Sequence, residues 1–157
     1  MHYYSTNNRE LKFGLKEALL KGLAPDGGLF MPSPIPVLSR SGLEELRDLD
    51  LTGIAVKLSE LLFGEDIPVD DLATIVEDAI NFDTPLVKVE EGIYALELFH
   101  GPTLAFKDVG ARFLARLLGY YTQHLKEEIH VLVATSGDTG SAVANGFLGV
   151  PGIKVHV

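Results

Sequence analysis

The sequence predicts an α/β protein: a mainly helical N-terminal region followed by the start of a parallel-sheet domain, truncated before the sheet is complete. Three observations carry this. Apolar residues recur at helical spacing as far as about Phe82. The pattern changes at Asp83-Thr84-Pro85 to short alternating runs. The last segment then reads strand, loop, helix, strand, an order that implies parallel pairing. One boundary near Phe82 divides the chain into regions 1–82 and 83–157.

In the first region Leu11, Leu15, Ala18 and Leu19 fit one helix face, with Gly22 as its stop. Pro25, Asp26, Gly27, Gly28, Pro32, Pro34 and Pro36 then predict a rigid, extended connector. Ser41 and Glu44 have capping-box spacing for a short helix. Ile54, Val56, Leu58, Leu61 and Leu62 predict a further helix ending at Gly64. Pro68 opens the next, whose apolar face is Leu72, Ile75, Val76 and Ala79.

In the second region Leu86–Val89 and Ile93–Leu98 predict paired strands about Glu90-Glu91-Gly92. Lys107 to about Gln123 predicts a helix with Val109, Phe113, Leu117 and Tyr120/Tyr121 on its apolar side. Asp108, Arg112 and Arg116 follow one another at i,i+4 and are placed on its solvent side. Ile129–Ala134 reads as a buried strand, Ala142–Phe147 as helix, and Ile153–Val157 as a strand that stops in mid-pattern, so the sequence reads as a fragment.

Composition narrows the function. A net charge of −9 with no Lys/Arg cluster argues against a nucleic-acid partner. With no cysteine, disulfides, thiol nucleophiles and thiolate metal sites are excluded, which is compatible with a cytoplasmic location. His2, His100, His124, His130 and His156 form no i,i+4 ligand pair, so no metal site is expected. No apolar run approaches the ~18 residues that span a bilayer, and Met1–Ser5 lacks the start of a secretory signal.

The chemistry concentrates in two segments. In His100-Gly101-Pro102-Thr103-Leu104-Ala105-Phe106-Lys107-Asp108 a lysine stands at the start of an amphipathic helix. The positive end of a helix opposes a cation there by roughly 0.3–1 kcal/mol. Leu104, Ala105 and Phe106 would shield it from water, making Lys107 a candidate nucleophile toward a carbonyl. The same residues also fit a lysine that merely reaches out to solvent. In the second segment, Thr135-Ser136-Gly137-Asp138-Thr139-Gly140-Ser141 between strand and helix supplies free amides and hydroxyls for an anion. Asp138 would repel an anion, so it either caps the helix or meets a positive group, and Asn145 reads as structural. His100 either orients a ligand phosphate or satisfies its own loop.

Glu97–Asp108, ELFHGPTLAFKD, together with Ala134–Ala144, ATSGDTGSAVA, closely resembles threonine synthase. Tyr4-Ser5-Thr6 and Glu17–Phe30 resemble the opening region of that family. One departure is visible. Where the family often has an arginine directly after the Ser-Thr pair, this chain has Asn7, with Arg9 two places on.

The resemblance implies a pyridoxal-phosphate lyase of the tryptophan-synthase-β-like fold (fold type II), matching its N-terminal third. By resemblance Lys107 holds the cofactor and acts as base, and Phe106 packs on the cofactor ring, although ordinary core would also suit it. Thr135, Ser136, Gly137, Asp138 and Thr139 would grip the substrate carboxylate. The implied reaction is O-phospho-L-homoserine plus water to L-threonine plus phosphate, in threonine and thus amino-acid biosynthesis. A related phospho-lyase giving 2-oxobutyrate and a non-catalytic paralogue are the alternatives. A nucleotide-binding module is disfavoured, because neither GxGxxG nor GxxxxGK[ST] occurs. The family's cofactor-phosphate loop and pyridine-nitrogen partner lie outside these residues. The fragment alone is therefore expected to be inactive, with a tendency to self-associate through its open sheet edge.

Overall fold

The computed structural model describes residues 1–123, 125 and 128–157; His124 lies outside them. The chain divides into two compact units, Met1–Val76 and Glu77–Val157.

Unit 1 opens with a sheet where the sequence suggested helix and connector. Strands β1 (His2–Ser5), β2 (Lys12–Phe13) and β3 (Phe30–Ser33) pair antiparallel in the order β2-β1-β3. Tyr3 faces Phe13 on one side and Pro32 on the other. Two to four residues are too few to display an alternation. Pro32 is tolerated because β3 lies at the sheet edge, where one amide is not needed. The rings of Phe13 and Phe30 meet edge to face at 4.9 Å. Leu11 precedes helix α1 (Leu15–Lys21), which ends at Gly22 with φ +69.

The tight turn after α1 is held by side chains. Asp26 Oδ1 accepts from the buried Ser5 hydroxyl at 2.6 Å and from Gly28 N–H at 3.1 Å. The Ser5 bond, with the smaller help of Gly28, holds the Asp26 carboxyl below the usual aspartate range. A side chain at Gly28 would collide with Ser5 Oγ, which explains the glycine.

Helix α2 (Arg40–Glu45) is capped by Ser39, whose Oγ accepts from Gly42 N–H at 3.0 Å. The Ser41/Glu44 capping box is therefore replaced by a cap two residues earlier, and Glu44 pairs with Arg40 instead. Helix α3 (Leu51–Phe63) is capped by Asp50 and closes at Gly64. Helix α4 (Val69–Ala79) follows Pro68, whose carbonyl accepts from Leu72 N–H. Ile67, Leu72 and Val76 are fully buried, as the apolar stripe required. The division between units falls within α4.

Unit 2 contains the hairpin β4 (Leu86–Glu90) and β5 (Ile93–Leu96), turned at Gly92 with φ +78. Helix α5 (Lys107–Thr122) is followed by β6 (Ile129–Leu132), α6 (Asp138–Phe147) and β7 (Ile153–His156). β6 and β7 pair in parallel, Ile129 opposite Ile153 through Leu132 opposite His156, giving the β–α–β order the sequence implied. α6 lies close on α5: a side chain at Gly146 would come within 3.1 Å of the Ala111 carbonyl.

The buried stripe of α5 differs from the expected one. It runs Asp108, Arg112, Ala115, Leu117, Leu118 and Thr122. Asp108 and Arg112, assigned to solvent by their charge, are 0% and 9% exposed. They do not pair with each other. Each is satisfied by backbone and neutral side-chain groups, which is what burial of a charge demands.

Candidate functional site

The turn that leads into α5 is built by hydrogen bonds closing on themselves. Asp108, in the first turn of the helix, accepts from Thr103 N–H at 2.8 Å and from the Thr103 hydroxyl at 2.6 Å. Its own N–H donates to Ala105 O at 3.0 Å, and Leu104 N–H donates to Gly101 O at 3.1 Å. Between these ties Leu104 adopts φ +58, the one non-glycine residue with positive φ among those described. Gly101 is required here, because a side chain would come within 2.6 Å of Asp108 Oδ2.

Lys107 follows as the first helical residue. It is half-buried, and its Nζ has no hydrogen bond or ion pair among the described residues. Nζ lies 5.1 Å from the centroid of the Phe106 ring. The expected dry surroundings are not formed by its neighbours. Leu104 and Phe106 are 75% and 61% exposed, and only Ala105 is buried.

His100 Nε2 lies 2.7 Å from Glu97 Oε2, and its ring stacks on Phe99 at 4.7 Å. The loop thus satisfies His100, the second of the two readings above. Arg9 lies over the Tyr4 ring at 5.3 Å, within unit 1.

The second segment forms one capped turn. Thr135 Oγ1 accepts from Gly137 N–H at 3.2 Å and from Gly140 N–H at 3.1 Å. The N-cap residue of α6 is Gly137, with φ +155 and ψ −90, and Asp138 is the first helical residue. The capping role expected for Asp138 therefore belongs to the Thr135 hydroxyl. A side-chain cap must precede the amides it serves. Ser136, Gly137, Asp138 and Thr139 are all exposed. The leading amides of a helix have no partner within it, so this end of α6 presents donors and hydroxyls outward. Lys107 and this turn belong to the same unit but make no hydrogen bond with each other.

Sequence reasoning misplaced two charged groups beside these segments, one buried and one partly buried. Arg112 donates to Ala79 O at 2.8 Å, to Asp78 O at 2.6 Å and to Asn81 Oδ1 at 3.2 Å. Arg116 donates to Asp78 Oδ2 and to Gly146 O, tying α5 to α6. Both guanidinium groups are engaged by protein rather than left to solvent, as their charge had suggested. The i,i+5 spacing of Thr103 and Asp108 was the one legible signal of their clasp.

Fold and site define a mixed α/β protein that sets a free lysine at one helix start and an outward-facing donor turn at another. The family described as "Threonine synthase N terminus" matches residues 2–80. Over the whole chain, 44% of residues are identical with a threonine synthase of Haemophilus influenzae, and 38% with that of Escherichia coli. The E. coli threonine synthase crystal structure superposes with a TM-score of 0.91 at 38% identity, covering 99% of this chain and 36% of that one. A PLP-bound threonine synthase from Brucella melitensis superposes at 0.93 with 37% identity, covering 99% of this chain and 34% of that one. The chain belongs to the threonine synthase family. It spans 36% of the length of the H. influenzae and E. coli relatives. No helix among the described residues is long and apolar enough to cross a membrane.

Proposed function

We propose that this chain contributes the lysine and the carboxylate-binding turn of a threonine synthase, converting O-phospho-L-homoserine and water to L-threonine and phosphate. The observation that carries the reading is the Lys107 amine, half-buried at the head of α5 and uncommitted to any hydrogen bond or ion pair among the described residues. An amine without an anionic partner is available to a carbonyl.

The residues present fit pyridoxal phosphate. Lys107 offers a free amine for its aldehyde, and the exposed Phe106 ring beside that amine offers an apolar face. Pyridoxal phosphate, when bound, supplies the electron sink for charge developing on the substrate carbons. Lys107 Nζ would hold the cofactor, then take and return the proton at the substrate α-carbon. The amides at the start of α6, with the Ser136 and Thr139 hydroxyls, would hold the substrate carboxylate. The exposed Asp138 carboxylate, free of any capping bond, is left to meet the substrate's positive end.

These residues alone are proposed to be inactive, since two thirds of the relatives' length lies outside them. The test uses the complete gene product. It is incubated with O-phospho-L-homoserine, and its cofactor is fixed with borohydride and mapped by mass spectrometry. Threonine and phosphate, with the pyridoxyl mass on Lys107 and both lost in Lys107→Ala, are the expected result. Release of 2-oxobutyrate would identify a phospho-lyase. No product, with no mass on Lys107, would leave a non-catalytic relative.

A further inference from the structure

We propose that Asp108 is the positioning residue for Lys107, acting through Thr103; this rests on Lys107 being the cofactor lysine. The two residues are neighbours in sequence, but they face opposite ways in environment. Asp108 is fully buried, whereas Lys107 is half-buried with a free amine. Among the described residues no hydrogen bond or ion pair holds the lysine side chain, and the Phe106 ring beside it belongs to the same turn, so its place depends on where the backbone of the turn is fixed. That turn includes Leu104 at φ +58. A left-handed non-glycine residue is strained and persists only where its surroundings over-determine it. The over-determination is visible. Both oxygens of Asp108 grip Thr103, one on its N–H at 2.8 Å and one on its hydroxyl at 2.6 Å. The N–H of Asp108 closes back on Ala105 O at 3.0 Å. Leu104 is thus pinned from both sides, and Lys107 sits between the two ends of the pin.

The carboxylate is also the group that suits this place. It lies in the first turn of a 16-residue helix, where a negative charge is favoured. It can accept two hydrogen bonds without having to donate one. An amide at the same position could serve Thr103 N–H with its oxygen and the Thr103 oxygen with its nitrogen, keeping the clasp with one bond reversed. An alkyl side chain would keep neither.

The experiment uses the complete gene product, wild type and four variants: Asp108→Ala, Asp108→Asn, Thr103→Val and Thr103→Ser. The rate of pyridoxal phosphate addition to Lys107, trapped by cyanoborohydride, is measured against Lys16 and Lys154 in the same molecule. Hydrogen exchange of the peptide spanning Gly101–Lys107 and the melting temperature are recorded in parallel. A misplaced reacting group loses rate steeply. Asp108→Ala and Thr103→Val should therefore lower the preference for Lys107 by about tenfold and speed exchange in the peptide. Thr103→Ser, which keeps both donors, should match the wild type, and Asp108→Asn should fall between.

A lowered melting temperature in the two severe variants, with the preference for Lys107 intact, overturns the proposal and leaves Asp108 a stabilising residue only. Should Asp108→Ala fail to fold, Thr103→Val decides by the same criterion. If wild-type Lys107 reacts no faster than Lys16 and Lys154, the cofactor reading of Lys107 falls, and this role for Asp108 with it. Loss of the preference on substitution alone cannot be mistaken for that result.

Discussion

The guanidinium of Arg112 donates through Nε to the carbonyl oxygen of Ala79, 2.8 Å away and out of water. Its second nitrogen reaches Asp78 O and Asn81 Oδ1. Ala79 ends α4, so a positive group here meets both the unpaired carbonyls and the negative end of the helix. Arg112→Met should therefore cost about 1–3 kcal/mol, because it strands buried acceptors. Arg112→Lys should recover only part, since one ammonium cannot present two nitrogens in a fixed plane. Urea unfolding of the three proteins measures this. A loss within about 0.5 kcal/mol for the methionine variant, as for an ordinary surface charge, would show that the contact contributes nothing.

Arg112 also shows where the sequence stops being readable. Counting apolar letters finds stripes such as Leu72 and Val76 in α4. It passes over a stripe that contains Asp108 and Arg112, because whether a charge is buried depends on distant carbonyls. The order of β6–α6–β7 was legible, since each strand is a local apolar run and a helix between two strands fixes their sense; the burial expected of β6 is not found, as none of its residues is buried and Leu132 is 78% exposed. The β1–β3 sheet was not, since its pairing joins His2 to Ser33 across the intervening α1. Around the candidate site, the helix start at Lys107 and the strand-to-helix turn at residues 135–139 were legible as local structure. The exposure of Leu104 and Phe106 was not legible, because apolar character alone does not say which side chains a turn leaves to solvent.

Asp26 predicts a pH dependence. Its carboxyl is held below the ordinary aspartate range, chiefly by the Ser5 hydroxyl. A lowered folded-state value means that the stabilisation is present above the unfolded-state pKa, about 3.9. It is lost as pH falls through the folded value. Melting curves of wild type and Asp26→Asn should stand apart near neutrality and converge in acid below about pH 4. A gap that persists unchanged throughout that acid range would remove Asp26 as its source.

Gly140 tests how tightly the Thr135 cap is built. A methyl group at Gly140 would lie 2.3 Å from Thr135 Cγ2 and 3.0 Å from Val157 Cγ1. Gly140→Ala should cost about 1–3 kcal/mol by overpacking. Thr135→Ser removes the offending methyl and keeps the hydroxyl that accepts from Gly137 and Gly140. The double variant should then recover most of the loss, a coupling that separate sites would not show. Additive losses in a double-mutant cycle of thermal stability would place the clash elsewhere.

Gly137 and Gly110 separate backbone cost from crowding, because a side chain at either would meet nothing within 4 Å. They differ in conformation. Gly110 lies inside α5 with ordinary helical backbone, whereas Gly137 holds φ +155 at the start of α6. Gly110→Ala should stabilise the protein by about 0.4–1 kcal/mol, since alanine loses less chain freedom on folding and favours helix. Gly137→Ala should destabilise it by about 1–3 kcal/mol through the same unfolded-state gain outweighed by strain. It should also disturb the outward amides of Asp138 and Thr139, so binding of a small carboxylate should weaken in that variant and not in Gly110→Ala. Denaturation midpoints and carboxylate titrations by NMR measure the two effects side by side. Equal stability changes at the two glycines would mean that the turn before α6 relaxes freely, and a donor turn that relaxes freely is not preorganised for an anion.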